Sequence, residues 1–190
     1  VQVLLEAGFQ QLQGGIAAGN HAQRHAGKIA VGVQLPDGEL VGAAVLPRDQ
    51  VAAGIGLRAD RRPGAELAGG RWNSKGFPML YTSSGRALCM AEVAVHLPLH
   101  LIPVDYWLVS IELPDDVELF EIPMKDLPAD WNSFPHSVST QKIGDQFLNA
   151  GDKMIFKAPS AVVKGDFNFL LNPRHPDYLH IKIIEIEQFK

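Results

Sequence analysis

Apolar and polar residues alternate with a period of two along several short segments, a pattern that predicts β-strands. Residues 28–46 are typical of a β-hairpin, because two such segments flank the turn residues Pro36-Asp37-Gly38. Residues 180–189 show strong alternation and predict a closing strand. Further strands are predicted within residues 77–81, 105–114, 117–123, 153–163 and 167–178.

Fewer segments have the period of an amphipathic helix. Helices are predicted at residues 3–12, 86–97 and 140–151. The second follows hydroxyl residues at 82–84 that can cap it and stops before Pro98, and the third has Gly151 as its stop. Because short strands are separated by only one or two helices, we expect an α+β fold with mixed or antiparallel sheets rather than a doubly wound fold.

Composition narrows the class of protein. At 190 residues with 46% hydrophobic content, the chain suits one folded domain, or one domain with an extension. A formal net charge of -4 gives no global attraction to nucleic acid. The one cysteine rules out an internal disulfide framework and favours a reducing compartment, so we expect a cytoplasmic protein. We expect no signal peptide and no membrane span, because a basic leader and a long apolar run are both missing.

Several motifs of common enzymes are missing from the sequence. These are the phosphate-binding GxxxxGK[ST] loop, a GxGxxG turn after a strand, the zinc motif HExxH and the GxSxG nucleophile turn. His21 and His25 are four residues apart but have no third ligand nearby. We therefore predict no metal site.

Glu92 is the most informative single residue. In the predicted helix it lies beside Leu88, Cys89 and Val95, on or next to the face that should pack inward. A carboxylate is costly to bury unless it is paired. Two interpretations stay open: a structural ion pair with Arg71 or Arg86, which spacing alone favours, or a carboxylate kept in a cleft to act on a ligand.

Three other residues have both an ordinary and a functional interpretation. Arg71 follows a Gly-Gly turn and is either a surface charge or a guanidinium that grips phosphate. Tyr81, at the end of a predicted strand, is either a core aromatic or a wall on which a planar base stacks. Ser160, after Pro159, is either a turn cap or a binding hydroxyl. The ordinary interpretation is favoured for each residue taken alone.

An ordered set of motifs instead favours the functional interpretation of these residues. The run "GGRWNSKGFPMLYTSSGRALCMAEVAVHL" is followed by "LPADW", "TQKIGDQFLNAG", "APSAVV" and "NFLLNPRHPD". In this order they resemble the RES domain, named for its Arg, Glu and Ser, over residues 69–190. That family supplies toxins of toxin–antitoxin pairs. The resemblance divides the chain into a RES domain at 69–190 and a preceding segment, 1–68, that is an extension or a divergent version of the opening strands.

The resemblance implies a fold similar to that of ADP-ribosyltransferase toxins and an enzyme that consumes NAD as its substrate. It also implies an Xre-type helix-turn-helix antitoxin as partner, with the antitoxin contacting DNA, and leaves a homodimer within the complex open. Glu92, Arg71, Tyr81 and Ser160 match the catalytic positions by motif; the positions implied to bind NAD are Arg71, Lys75, Tyr81, Ser160 and Asn172.

The implied chemistry agrees with the residue types. Nicotinamide leaves NAD as a neutral molecule, and positive charge develops on the ribose, as in glycoside cleavage. The Glu92 carboxylate can stabilise that charge, Arg71 can hold the pyrophosphate, Tyr81 can pack on the nicotinamide or its ribose, and Ser160 can bind a ribose or phosphate oxygen. The expected function is a type II toxin that degrades NAD+ by hydrolysis or phosphorolysis. The alternatives are transfer of ADP-ribose to a protein, or a catalytically silent nucleotide-binding or interaction module.

Overall fold

The computed structural model describes residues 33–34, 40–47, 64–96, 106–114 and 117–188. These residues form one eight-stranded sheet with helices packed on it. In chain order the strands are β1 (Val33–Gln34), β2 (Leu40–Pro47), β3 (Leu80–Ser83), β4 (Tyr106–Glu112), β5 (Leu119–Glu121), β6 (Ile155–Pro159), β7 (Phe167–Leu171) and β8 (Lys182–Gln188).

The sheet is mixed. Its order is β5-β6-β7-β3-β2-β4-β8, and β1 pairs with β2. Only β5 and β6 run parallel among the described pairs, and the other neighbours are antiparallel. This arrangement confirms the predicted α+β class with a mixed sheet.

Three short α-helices lie among the described residues: α1 (Gly64–Ala68), α2 (Arg86–His96) and α3 (Val138–Ala150). Two 3-10 turns, Met124–Asp126 and Pro176–His180, complete the helical segments. The Ser137 hydroxyl caps the start of α3, and Gly151, with a φ of 65°, ends it by donating its N–H to the carbonyl of Phe147. None of the described helices has the length and apolar character of a bilayer span.

Two apolar clusters cover the two faces of the sheet, because successive residues of a strand point to opposite faces. In β7, Leu171 belongs to one cluster and Leu170 to the other. Helix α2 adds Cys89 and Val93 to the first cluster. Helix α3 contributes to the second, whose buried members are Trp72, Met79, Leu127, Phe147, Leu148, Phe156, Ala158 and Leu170. The sheet therefore lies between helix α2 on one face and helix α3 on the other, and α2 carries Glu92.

Most predicted elements are confirmed within a few residues, and one strand is misplaced. The hairpin is confirmed by the antiparallel pairing of β1 with β2. The strand predicted at 77–81 is wrong at both ends, since β3 begins at Leu80 and includes Thr82 and Ser83. The physical reason is that the Asn73 side-chain amide binds the carbonyl of Phe77 and holds that backbone in a turn. The hydroxyls of Thr82 and Ser83 instead bond to β7.

Two other expectations concern the first third of the chain. The helix predicted at residues 3–12 lies outside the described residues. The division of the chain at residue 69 stays a prediction, although β2, from the preceding segment, lies between β3 and β4 in the sheet.

Candidate active site

The Glu92 carboxylate is held by two side chains from the sheet. Its Oε1 accepts a hydrogen bond from the Ser160 hydroxyl at 2.9 Å and from the Asn168 amide Nδ2 at 2.8 Å. Glu92 itself lies on α2 and is half-buried. Charge-assisted bonds of this kind are among the stronger hydrogen bonds in proteins. Because both donors converge on one oxygen, they restrict the position of the carboxylate.

Ser160 follows the last residue of β6, and its hydroxyl is fully used. Its side chain is 4% exposed, and Oγ accepts the backbone N–H groups of Val162 at 3.1 Å and Val163 at 3.0 Å. A hydroxyl has two lone pairs and one hydrogen, so two accepted bonds leave the hydrogen to point at Glu92. Ser160 thus contacts Glu92 directly, and the turn after β6 orients the contact.

The second donor, Asn168, was missed by reasoning from the sequence. It is paired with Ser83 across β3 and β7, and its Oδ1 accepts the Ser83 hydroxyl at 2.7 Å. Period two places Ser83 on the same face of β3 as Tyr81, which packs on the second cluster. One signal was present in the sequence. Asn168 lies between two phenylalanines of an apolar strand, and asparagine is disfavoured in strands, so its presence there could have indicated a specific role.

The Arg71 guanidinium is held by backbone oxygens. Its Nη1 donates to the carbonyls of Trp131 and Ser133, both at 2.9 Å. Burial lowers the pKa of Arg71, whereas the Glu92 carboxylate and, at high pH, the Tyr81 phenolate raise it; the group stays protonated, as arginine does in proteins. Within the described part of the chain no acceptor binds Nη2 or Nε. These atoms are the part of the fork that can bind an anion.

Tyr81 uses its hydroxyl to hold the turn that carries Arg71. The oxygen accepts the N–H of Trp72 at 2.9 Å and donates to Oδ1 of Asn73 at 2.7 Å. Burial raises the pKa of Tyr81, although its side chain as a whole is only half-buried. A Cβ at Gly70 would lie 2.4 Å from this oxygen, so only glycine allows the approach. The predicted stacking role of Tyr81 belongs to its ring, because the hydroxyl is already satisfied.

Helix α3 also holds the turn that carries Arg71, through hydrogen bonds made by two of its side chains. The Gln141 amide donates to the Gly70 carbonyl at 3.0 Å, and the Asp145 carboxylate accepts the N–H of Ser74 at 2.9 Å. Neither residue was singled out from the sequence, because both lie on a helix some 70 residues along the chain from the turn. Their contact exists only once α3 packs against the sheet.

Lys75 and Asn172 are not joined to the Glu92 group by the described contacts. Lys75 is exposed in the turn after Asn73. Asn172 is 1% exposed and accepts the N–H of Arg174 at 3.0 Å, which organises the turn after β7. It lies four residues from Asn168, about 13 Å along an extended chain. Their predicted roles in binding stay predictions.

Arg86, one of the two arginines considered as an ion-pair partner of Glu92, contacts other carboxylates. Its guanidinium binds Glu185 at 3.2 Å and also Glu187, both on the edge strand β8. In the described ranges, no group of three or more His, Cys, Asp or Glu side chains is arranged to hold a metal ion.

Together these features define an α+β domain in which a carboxylate from a helix and a guanidinium from a turn are held at one sheet. A family model described as the RES domain matches residues 48–190. The chain belongs to the RES domain family, which confirms the resemblance inferred from its motifs.

Curated relatives agree with this assignment. The "Prs ADP-ribosylating toxin" of Sphingobium sp. is 34% identical over 128 residues, which cover 66% of this chain and 80% of that protein. A "Toxin Res" from Yersinia enterocolitica is 35% identical over 115 residues, covering 60% of this chain and 75% of that protein.

A solved structure shares the fold. A chain in the crystal structure of the M. tuberculosis MbcT-MbcA toxin–antitoxin complex superposes with a TM-score of 0.60 at 17% sequence identity. The match covers 80% of this chain and 85% of that one. At this level of identity the likeness establishes the α+β architecture alone.

Proposed function

We propose that this protein is the toxin of a toxin–antitoxin pair and that it cleaves the nicotinamide–ribose bond of NAD+. The observation that carries the proposal is the Glu92 carboxylate, held by Ser160 and Asn168 and electrostatically coupled to Arg71. Membership of a family whose curated relatives are named toxins supports the biological role.

The reaction needs a fixed negative charge more than it needs an acid. When the bond between the ribose C1′ and the pyridinium nitrogen breaks, its electron pair leaves with nicotinamide, which becomes neutral. The cation left at C1′ is then captured by water, which loses one proton, so the products are nicotinamide, ADP-ribose and H+. A carboxylate oriented before the reaction stabilises the developing cation without having to reorganise. Glu92 is assigned that role.

Arg71 and Tyr81 are assigned to binding. The Nη2 and Nε atoms of Arg71, which bind no acceptor among the described residues, suit the planar, bidentate recognition of a pyrophosphate. The ring of Tyr81, partly exposed, offers an apolar face to the nicotinamide or its ribose. Ser160 is assigned to holding Glu92 rather than to binding a substrate oxygen, because its hydrogen and both lone pairs are already used.

The decisive experiment compares wild-type protein with Glu92→Gln in an assay of nicotinamide release from NAD+. The substitution keeps the shape and removes the charge, so we expect a loss of about 100-fold or more in kcat. Glu121→Gln, the same change at an exposed position on β5, is the matched control and should behave as wild type. Equal turnover in the Glu92 and Glu121 variants would refute the mechanism.

The same variants test the alternative of a catalytically silent module, in which Glu92 forms a structural ion pair. Such a module would release no nicotinamide, and Glu92→Gln would have a markedly lower melting temperature than the wild type.

Transfer of ADP-ribose to a protein is the second candidate. It is favoured by one relative, which carries the name ADP-ribosylating toxin and is 34% identical over 128 residues. NAD+ labelled on the adenine separates the two reactions, since hydrolysis leaves the label in free ADP-ribose and transfer leaves it on a protein. Phosphorolysis would show itself as a labelled product that forms only when inorganic phosphate is added.

We also propose an Xre-type helix-turn-helix protein as the antitoxin, with the antitoxin contacting DNA and the pair acting in the cytoplasm. The likeness in fold to a chain of a toxin–antitoxin complex supports an antitoxin partner, whereas the Xre type rests on the resemblance to the family alone. Expression of the toxin alone should arrest growth of its host. Co-expression of a neighbouring helix-turn-helix gene should restore growth, and the Glu92→Gln variant should cause no arrest. Arrest by that variant would separate toxicity from NAD+ cleavage.

A further inference from the structure

The bond between Asn168 and Glu92 joins two segments that are 76 residues apart in the chain. Glu92 has a long side chain on a helix, whereas Asn168 has a short one on a strand of the sheet. A glutamate has several rotatable bonds, so its carboxylate needs contacts near its end to hold one position. Asn168 provides such a contact from β7, a strand that is paired with a neighbour on each side.

The orientation of the Asn168 amide is determined by its two neighbours. An ionised carboxylate only accepts hydrogen bonds, so the side of Asn168 that faces Glu92 must be the NH2 group. The oxygen then faces Ser83, whose hydroxyl donates to it at 2.7 Å. Ser83 is 1% exposed and lies directly opposite Asn168 in the register of β3 and β7. The three side chains therefore form one ordered chain of hydrogen bonds that ends at Glu92.

Glu92 interacts electrostatically with groups on several of the elements around it. The described groups that are electrostatically coupled to Glu92 include Arg71 from the turn, Tyr81 from β3 and Cys89 from α2 itself. Burial raises the pKa of both the Tyr81 hydroxyl and the Cys89 thiol, so these two groups are neutral near pH 7. Arg71 is the one of the three that is charged at that pH. A carboxylate in place of the Asn168 amide, which lies 2.8 Å from Oε1, would put a like charge in contact with Glu92 and make the pair bind a proton more readily.

We infer that Asn168 is a positioning residue for the Glu92 carboxylate, and that Ser83 sets the orientation of Asn168. As a positioning residue, Asn168 contributes to the rate of the chemical step and little to substrate affinity. The inference rests on the proposed function for its kinetic consequences, whereas its electrostatic consequence can be measured without NAD+.

Asn168→Asp tests the inference, because it keeps the shape and the oxygen that faces Ser83 but replaces the donor by a second carboxylate. We expect kcat for nicotinamide release to fall by about 10-fold to 100-fold with KM changed less than about threefold. The acid limb of the pH profile of kcat should move to higher pH by about one unit, because adjacent carboxylates bind a shared proton more readily. Asn149→Asp, the same change at an exposed position of α3, is the matched control and should change neither quantity.

A second measurement keeps the test independent of turnover. The carboxyl carbon-13 signal of Glu92, identified by its loss in Glu92→Gln, should titrate at higher pH in Asn168→Asp than in the wild type and in the control. If Asn168→Asp does not fold, Ser83→Ala takes its place and should lower kcat by about threefold to 10-fold with little change in KM.

The outcomes separate the two hypotheses. A wild-type protein that releases no nicotinamide refutes the proposed function, while the carbon-13 titration still tests the position of Asn168. An unchanged Glu92 titration and an unchanged kcat in the variants, with an active wild type, refute the inference alone. A raised KM with an unchanged kcat would place Asn168 in substrate binding and would also overturn it.

Discussion

The two sides of the site are held in different ways. On the acidic side, defined by Glu92, Ser160 and Asn168, the carboxylate is held by side-chain donors. On the basic side, defined by Arg71, Trp131 and Ser133, the guanidinium is held by backbone carbonyls. A side-chain donor can be removed by one substitution, whereas a carbonyl can be removed only by moving the backbone. The acidic side should therefore respond to local substitutions, and the basic side to changes in packing.

The basic side depends on the turn that carries Arg71, and that turn is fixed at several points. The Tyr81 hydroxyl bonds to two residues of the turn, and Gln141 and Asp145 of α3 bond to its backbone. The Asn73 side chain, 0% exposed, bonds within the turn and to α1. A site of this construction is organised before substrate arrives, which is what electrostatic catalysis requires.

The largest effect is expected from Gly144→Ala, which acts on the packing beneath the basic side. A Cβ at Gly144 would lie 1.6 Å from the carbonyl oxygen of Trp72, so the helix or the turn must shift. The free energy of unfolding should fall by about 3 kcal/mol in a denaturant titration, because a backbone contact cannot be relieved by a change of rotamer. Gly85→Ala is the control, since a Cβ there meets nothing within 4 Å. Equal losses in the two variants would contradict the packing argument.

An intermediate effect is expected when a serine is replaced by alanine on the acidic side, and a smaller one when the same change is made on the basic side. Ser160→Ala removes a donor to Glu92 and leaves two backbone N–H groups without their acceptor, so it should cost about 2 kcal/mol of stability and lower kcat about 10-fold. Ser133→Ala keeps the carbonyl that Arg71 uses and should stay within about 0.5 kcal/mol of wild type. Thermal unfolding and nicotinamide release measure both variants. Equal effects would remove the distinction between the two sides.

The smallest effect is expected at Asp130, in the loop that offers its carbonyls to Arg71. Hydrogen bonds from Ser139 and then Ser137 hold the pKa of Asp130 below its ordinary value of 3.8. A lowered folded-state pKa gives stability that is present above the ordinary pKa and is lost as pH falls through the folded-state value. Asp130→Asn should therefore melt slightly below wild type at pH 7, and the difference should close as the pH falls below 3.8 and through the folded-state pKa. If the difference in melting temperature grew as the pH fell, the folded-state pKa of Asp130 would be raised instead of lowered, and the prediction would be wrong.

Local patterns predicted the parts of the site that lie within one element. Helix α2 was predicted from its apolar spacing, and Glu92 was singled out as a carboxylate on or beside the inward face of that helix. The end of α3 at Gly151 followed from the conformational freedom of glycine, which has a φ of 65° there. These features depend on residues three or four positions apart, so they can be inferred before any tertiary contact is known.

Contacts between distant strands were not predictable in the same way. The start of β3 was misplaced because the Asn73 amide, rather than strand propensity, determines the backbone at Phe77. Asn168 was overlooked because its partners, Ser83 and Glu92, are 85 and 76 residues away. No local periodicity encodes a hydrogen bond across such a separation.

The chemistry of the site and its assembly therefore have different origins. The amino-acid sequence determined the class of fold, the helix that carries Glu92 and, through an ordered set of motifs, the family. Only the tertiary structure decided that Ser160 and Asn168 meet on one oxygen of Glu92 and that Arg71 is held by the carbonyls of Trp131 and Ser133. The physical reason is that a helix or a strand forms from neighbouring residues, whereas the orientation of a charge depends on donors and acceptors that become neighbours when the sheet pairs.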